Sequence, residues 1–331
     1  MDLALYKDTI VSRGFTYHYF YSPAASGQPT LLLVHGFPSS SYDWRRQVAY
    51  FQPKGYGILV PDLLGAGGTS KPDSADAFRF ALIARDLVDV LDAEGLQTVV
   101  GIGHDWGSAV LSRLANLYSG RFHAFAWLAL SYFPPAWQTS GLADAGAMST
   151  QFGYWEYLSR DDAFVMTEKN IIPDAVQLDS FLLLAYPETP DHWHKSLAPL
   201  GKTQVWIEAN RQTGLPDWLP QEEYDVMREI LANAGLKSVL NYYKAMVSGA
   251  NAQDEKSIPS EAHMIQKPAL FIASACDPVC TAGGGKTVMA QYAPHATIVE
   301  LDVGHWPHLE ETEKVNLALE KWLETLNLGK L

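Results

Sequence analysis

The stretch Val99-Val100-Gly101-Ile102-Gly103-His104-Asp105-Trp106-Gly107-Ser108 indicates the fold class of this 331-residue chain. Its first part is an apolar run that is typical of a buried parallel strand. Gly103 and Gly107 then bracket a sharp turn, and a helix is predicted to begin near Ser108. A strand, a tight turn and a helix in this order expose one strained side chain at the edge of a sheet. That side chain is a carboxylate, Asp105.

A carboxylate at this position limits the chemistry that the turn can carry out. Attack of Asp105 on an acyl carbon gives an anhydride, whereas attack on an sp3 carbon with a leaving group gives an alkyl ester. The expected substrates are therefore epoxides or alkyl halides. No Gly-x-Ser-x-Gly stretch occurs in the chain to offer a serine nucleophile instead. A phosphate-binding glycine loop is not favoured, because the glycine spacing is one residue too long.

Two residues after Asp105 in the chain are predicted to complete a catalytic triad in the order nucleophile, acid and base. His305 follows the β-branched stretch Ala296-Thr297-Ile298-Val299-Glu300-Leu301, so it is predicted to lie on the loop after the last strand, as the base for ester hydrolysis. His308 is the second choice for this role. Asp277 follows the apolar stretch Ala269-Leu270-Phe271-Ile272-Ala273 and is predicted to hold the tautomer of His305 and to stabilise its imidazolium.

Backbone N–H groups are predicted to form an oxyanion hole beside Asp105. The stretch His35-Gly36-Phe37-Pro38 follows the apolar strand Leu31-Leu32-Leu33-Val34. The N–H groups of Phe37 and Trp106 should converge on the Asp105 carboxyl group, where an oxyanion forms when water attacks its ester. Taken alone, the same stretch is also typical of a tight turn.

Together these motifs resemble the epoxide hydrolases of the α/β-hydrolase fold, and the resemblance covers nearly the whole chain. The stretch Asp62-Leu63-Leu64-Gly65-Ala66-Gly67-Gly68-Thr69-Ser70 is similar to the loop of this family after the strand that precedes the nucleophile. The resemblance implies an α/β fold with a mostly parallel central sheet, flanking helices and an inserted helical cap. It also implies a covalent ester on Asp105, which water activated by His305 with Asp277 cleaves to release a vicinal diol.

The resemblance further implies two cap tyrosines that donate hydrogen bonds to the epoxide oxygen. Tyr243 lies in Asn241-Tyr242-Tyr243-Lys244, which is similar to Asn-Trp-Tyr-Arg in the family, and Tyr154 lies in Phe152-Gly153-Tyr154-Trp155. Opening an epoxide releases an alkoxide, which a phenol with a pKa of about 10 can protonate, whereas a halide needs no proton. The neighbours that offer the same group are Tyr157 and Tyr242.

Two other functions compete with this one. Haloalkane dehalogenases are similar at Asp105-Trp106, but they usually carry an Asn that holds the halide where this chain has Phe37. Fluoroacetate dehalogenases are similar at His-Gly-Phe-Pro, but they place an Arg after the nucleophile, where this chain has Trp106. A small-molecule receptor without turnover is the remaining alternative, because a fold does not determine a function. In the epoxide hydrolase interpretation, Phe37, Trp106 and Trp155 are expected to contact the substrate.

The pattern along the chain predicts a core in two parts with an insertion. Residues 1–133 alternate apolar strands with amphipathic stretches, which favours a mostly parallel sheet, and the sixth strand is predicted over residues 126–130. A break at Phe133-Pro134-Pro135 begins a helical pattern, so residues 134–250 are predicted to form a cap. The core is predicted to resume over residues 251–331.

The amino-acid composition and net charge limit the kinds of binding partner that the protein can have. A net charge of −13 argues against nucleic acid and anionic membranes, and 47% hydrophobic residues with 10 Trp indicate a large core and a roomy apolar pocket. The expected partners are an epoxide and water, with a homodimer as a further option. No signal peptide or membrane-spanning stretch is recognised, so a cytoplasmic location is expected. The final Gly329-Lys330-Leu331 is only weakly similar to a peroxisomal address.

No metal or organic cofactor is implied. The predicted nucleophile, base and proton donors are all side chains, and the second substrate is water. Cys276 and Cys280 are the two cysteines of the chain, and they are too few to form a zinc site alone. Free thiols are the expected state of both residues.

Overall fold

The structure is a computed structural model that describes residues 1–135, 145–163 and 175–328. The stretch Gly329-Lys330-Leu331, which is only weakly similar to a peroxisomal address, lies outside the described residues. The centre of the fold is a single sheet. Its strands are β1 (Tyr6–Ile10), β2 (Thr16–Ser22), β3 (Thr30–Val34), β4 (Gly57–Pro61), β5 (Val99–His104), β6 (Phe122–Leu128), β7 (Ala269–Ser274) and β8 (Thr297–Leu301).

The strand order is β1-β2-β4-β3-β5-β6-β7-β8. β2 pairs antiparallel with both β1 and β4, and every other neighbouring pair is parallel. Every residue of β3, β4, β5 and β7 is buried, because helices cover both faces of a parallel sheet. The predicted mostly parallel sheet is confirmed.

The helices lie on both faces of the sheet and in the segment between β6 and β7. They are α1 (Arg45–Phe51), α2 (Phe80–Ala93), α3 (Trp106–Leu117), α4 (Ala145–Thr150), α5 (Tyr154–Leu158), α6 (Ala175–Ala185), α7 (Lys202–Glu208), α8 (Gln221–Ala234), α9 (Asn241–Val247), α10 (Ala252–Lys256), α11 (Ala282–Tyr292), α12 (Pro307–Glu310) and α13 (Thr312–Thr325). Among the described helices, none has both the length and the apolar character that a membrane span requires.

Alternate residues of the strands build two apolar layers. Leu31 and Leu33 of β3 face a core that is completed by Trp44, which precedes α1, by Phe51 of α1 and by Trp322 of α13. The opposite face of β3 belongs to a larger core that takes side chains from α2, α3, α11 and the helices that follow β6. The helices after β6 are therefore packed on the same face of the sheet as the helix that begins at the predicted nucleophile.

β6 differs from its prediction, since it spans Phe122–Leu128 rather than residues 126–130. The strand ends before Ala129 because this residue has a φ of 58°, which is left-handed backbone that a strand cannot contain. Between β6 and β7, the described residues form α4 to α10 and a π-helical turn at Trp193–Leu197. The division of the chain at residues 134 and 250 remains a prediction.

Candidate active site

Asp105 occupies the turn between β5 and α3, with a φ of 51° and a ψ of −127°. Positive φ is strained for an aspartate, at a cost of about 1–3 kcal/mol. The surrounding glycines enforce it: a Cβ atom at Gly107 would lie 2.2 Å from the Val34 carbonyl oxygen, and one at Gly103 would lie 2.8 Å from the Gly107 carbonyl oxygen. Strand and helix approach so closely that the chain must turn sharply and present the Asp105 side chain.

The two carboxylate oxygens of Asp105 have different surroundings. Oδ1 accepts a hydrogen bond of 2.8 Å from the backbone N–H of Phe37. Gly36 leaves room for it, because a Cβ atom there would lie 2.3 Å from Oδ1. Oδ2 lies 3.5 Å from Nε2 of His305. In the described structure, the Trp106 N–H makes no hydrogen bond to this carboxylate, so its part in the oxyanion hole stays a prediction.

His305 is held by Asp277. Nδ1 of His305 lies 2.6 Å from Oδ2 of Asp277, and both side chains are buried. The other oxygen of Asp277 accepts hydrogen bonds from the backbone N–H groups of Val279 and Cys280, at 2.8 and 2.9 Å. Because both oxygens of Asp277 are occupied, the carboxylate has one orientation, and it directs Nε2 of His305 towards Asp105.

His308, the second choice for the base, lies in a different environment. Its ring stacks on Trp44 with a centroid distance of 4.7 Å and packs against His104 at 4.5 Å. Burial lowers its pKa well below the ordinary value of a histidine. Among the described residues, no hydrogen bond or ion pair joins the His308 ring to Asp105 or Asp277. The geometry favours His305 as the base.

The charges of this group depend on one another. Burial by itself disfavours an imidazolium, but the carboxylates of Asp277 and Asp105 outweigh it and raise the pKa of His305 well above its ordinary value. Burial also acts against ionisation of Asp105, yet the hydrogen bond and charge of His305 lower the pKa of this carboxyl group. At neutral pH the resting site therefore holds an imidazolium between two carboxylates.

Tyr154 begins α5 and Tyr243 lies in α9, and their rings meet edge to face with a centroid distance of 5.9 Å. Tyr243 also packs against Phe37 and Trp106, at 5.2 and 5.3 Å. Burial raises the pKa of both phenols well above 10, so both keep their protons at neutral pH. Both tyrosines line the same cavity as Asp105 and His305.

The neighbouring tyrosines do not line this cavity. Tyr242 points away from it, since its ring packs against Phe78 and Phe80, with centroid distances of 5.1 and 6.5 Å. Tyr157 is buried in α5, the helix that also carries Tyr154. Its side chain borders neither of the two cavities that lie next to Asp105. The geometry therefore favours Tyr154 and Tyr243 over these two residues.

Two cavities meet at Asp105 and Tyr154. One is a partly open cavity of about 370 Å³, and its wall is formed mainly by Phe37, Leu158, Phe181, Trp193 and Leu197. The other is a larger cleft of about 870 Å³, and its wall includes Trp106 and Trp155. The three residues expected to contact substrate therefore border space next to the nucleophile, with Phe37 on the smaller side and both tryptophans on the larger.

Sequence reasoning missed part of the wall of the larger cleft. Cys280, Gly284, Gly285 and Val288 come from the loop after β7 and from α11. The only signals were the position of Cys280 three residues after Asp277 and the run of glycines at the start of α11. Neither signal specifies a pocket without knowledge of how α11 packs.

Asp277, Cys280 and His305 are a group of metal-ligating residue types, with one ligand atom from each lying within 4.8 Å of the others. The oxygens of Asp277 already accept hydrogen bonds from His305, Val279 and Cys280. The hydrogen bonds of Asp277 thus orient the imidazole of His305. Both cysteines are free thiols, as expected.

The parallel sheet, the strained turn after β5 and the histidine after β8 define the class of this protein as an α/β hydrolase. Its sequence matches the family described as alpha/beta hydrolase fold over residues 29–312, and the chain belongs to that family.

Similar proteins are named as epoxide hydrolases. The chain is 29% identical over 303 residues to "Epoxide hydrolase A" of Mycobacterium tuberculosis, covering 91% of this chain and 92% of the relative. The crystal structure of Epoxide Hydrolase A from Mycobacterium thermoresistibile superposes with a TM-score of 0.76 at 26% identity, covering 96% of this chain and 98% of the other. An epoxide hydrolase from an endophytic Streptomyces superposes with a TM-score of 0.80 at 27% identity, covering 97% and 95%.

Proposed function

We propose that this protein is an epoxide hydrolase, which converts an epoxide to a vicinal diol through a covalent ester on Asp105. The observation that carries the proposal is the placement of four groups around one cavity: the carboxylate of Asp105, the imidazole of His305 and the phenols of Tyr154 and Tyr243. A carboxylate nucleophile, a base and two proton donors are what ring opening followed by ester hydrolysis requires.

In the first half-reaction, Oδ2 of Asp105 attacks an epoxide carbon and the C–O bond of the ring breaks. Oδ1 is engaged by the Phe37 N–H, so Oδ2, which lies 3.5 Å from Nε2 of His305, is the oxygen that attacks. Tyr154 and Tyr243 hydrogen-bond the epoxide oxygen, and one of them gives its proton to the departing alkoxide. The lowered pKa of Asp105 supports attack by the ionised carboxylate.

In the second half-reaction, water activated by His305 attacks the ester carbonyl carbon of Asp105. Ester formation removes the negative charge of Asp105, so one of the two carboxylates that raise the pKa of His305 is lost. The lower pKa favours neutral His305, so the imidazolium gives up a proton, which replaces the one that the tyrosine gave to the alkoxide. The neutral imidazole can then accept a proton from the attacking water, while Asp277 stabilises the imidazolium that forms. The oxyanion develops on Oδ1, where the Phe37 N–H and the predicted Trp106 N–H stabilise it.

The competing functions have less support. A dehalogenase needs donors that hold a halide, and the Phe37 side chain offers an aromatic ring that packs on Tyr243 instead. Two buried phenols that face the nucleophile are of use to an alkoxide but unnecessary for a halide. A receptor without turnover does not account for the hydrogen-bonded pair of His305 and Asp277.

The remaining features of the proposal concern the whole chain. Residues 134–250 form a cap that supplies Tyr154 and Tyr243, between core segments 1–133 and 251–331. The reaction uses side chains and water alone, without a metal or cofactor. A cytoplasmic location and a homodimer remain expectations from the sequence, and light scattering of the purified protein tests the second.

Product analysis with a panel of aryl and aliphatic epoxides beside 1-haloalkanes tests the function. We expect diol without halide release, and a loss of more than about 10³-fold in diol formation for Asp105→Ala. Halide release without diol would support the dehalogenase. If the Asp105→Ala protein forms diol at the wild-type rate, Asp105 is not the nucleophile.

A further inference from the structure

Glu310 binds the main chain on both sides of His305. Its Oε2 accepts a hydrogen bond of 2.7 Å from the N–H of Gly304, and its Oε1 accepts one of 2.9 Å from the N–H of Trp306. The fit is close, because a Cβ atom at Gly304 would lie 2.9 Å from Oε1. One carboxylate therefore fixes the loop that carries His305 without touching the imidazole ring.

A second contact holds the carbonyl group of the same residue. Nε2 of His104 lies 2.8 Å from the carbonyl oxygen of His305 and donates a hydrogen bond to it. Burial, together with the nearby charge of His305, lowers the pKa of His104 to about 3, so this ring stays neutral. Since His104 precedes Asp105, the hydrogen bond joins the nucleophile turn directly to the loop of His305.

The loop of His305 packs closely against its surroundings. A Cβ atom at Gly304 would lie 3.0 Å from Pro190, and the ring centroids of His305 and Trp193 are 4.7 Å apart. Loss of the Glu310 carboxylate would leave two backbone N–H groups without their acceptor in this packed region, and the loop would have to rearrange for them to find other partners. Displacement of the loop would then shift Nε2 of His305 relative to Oδ2 of Asp105, which lies 3.5 Å away.

We propose that Glu310 is a positioning residue for His305 and acts on ester hydrolysis rather than on ester formation. The inference rests on the proposed function, because it requires a reaction in two half-reactions. Attack of Asp105 on the epoxide needs no base, whereas attack of water on the ester does. A displacement of about 1 Å in a catalytic group can cost about 10²-fold in rate. Removal of Glu310 should therefore slow the two half-reactions unequally.

Single-turnover kinetics with styrene oxide tests the proposal by following formation and hydrolysis of the ester separately. For Glu310→Ala, we expect hydrolysis to slow by about 10- to 100-fold while ester formation changes by less than about threefold. The ester then accumulates, and kcat and KM fall together. Glu310→Gln should give an intermediate result, because its amide oxygen supplies one acceptor where the carboxylate has two.

Glu311→Gln is the matched control, because Glu311 is the next residue, pairs with Lys314 at the surface and should leave both rate constants unchanged. Equal slowing of both half-reactions in Glu310→Gln would show a purely structural role, and unchanged hydrolysis would show no role; either result overturns the proposal. Either of these two results leaves the proposed function standing, provided that the wild-type protein forms both the ester and the diol. If the wild-type protein forms no ester, the proposed function itself fails.

Discussion

At the scale of single residues, the environment of each titratable group suits a different step. Two carboxylates flank His305 and raise its pKa, and in the proposed mechanism it becomes available as a base once Asp105 is esterified. Tyr154 and Tyr243 are kept protonated by burial, as their proposed role as donors to an alkoxide requires. Because the phenols hold their protons so strongly, the imidazole of His305 does not deprotonate them in the resting site.

Replacement of either active-site phenol should impair ring opening. We expect Tyr154→Phe and Tyr243→Phe each to slow ester formation on the order of 100-fold, since removal of one transition-state donor has about this effect. The double variant should be slower still. Single-turnover measurements with styrene oxide check this, with Tyr157→Phe as the control. Wild-type rates in both single variants would exclude the tyrosines from the reaction.

The pKa values predict that the two half-reactions respond differently to pH. Ester formation needs an ionised Asp105, whose pKa is lowered, so it should continue as the pH falls. Hydrolysis needs a neutral His305, so it should slow below the pKa that this residue has in the ester. The fraction of enzyme present as ester should therefore rise between pH of about 8 and about 5. A steady-state ester fraction that falls with decreasing pH would contradict this assignment of the base.

At the scale of elements, the strand–turn–helix around Asp105 stores strain that glycines make tolerable. The φ of 51° at Asp105 follows from the close approach of α3 to β3, where Gly107 lies against the Val34 carbonyl group. The contact at Gly107 is between backbone atoms, so no flexible side chain can move aside to relieve it. The geometry of the nucleophile is thus a property of two packed elements rather than of one residue.

Gly107→Ala should destabilise the fold by about 3 kcal/mol or more, because its Cβ atom would lie 2.2 Å from a backbone oxygen. Urea denaturation measures the change. Gly120→Ala is a suitable control, since a Cβ atom there would meet no heavy atom within 4 Å. Equal unfolding midpoints for the two variants would mean that α3 can move away from β3 at little cost.

The sequence was sufficient to predict the elements that carry the site. The strand before Asp105, the loops of Asp277 and His305 and the parallel sheet follow from apolar runs and their order along the chain. The sequence could not reveal Glu310, because its bonds to the backbone around His305 have no spacing rule. It also misplaced β6, whose end depends on the left-handed backbone of Ala129.

At the scale of the whole molecule, sheet topology assembles the site. Residues distant in sequence meet because β3, β5, β7 and β8 are parallel and their carboxyl ends share one edge. Phe37, Asp105, Asp277 and His305 each follow one of these strands. The tyrosines come from helices between β6 and β7, which cover the opening above Asp105 and separate it into two cavities.

The intact mass of the His305→Gln protein after incubation with styrene oxide tests the covalent mechanism. We predict a mass increase equal to one molecule of the epoxide, located on the peptide that contains Asp105, because the ester forms but water is not activated. The Asp105→Ala and His305→Gln double variant should show no increase. An unmodified mass together with wild-type turnover would contradict the assignment of His305 as the base and the covalent mechanism that depends on it.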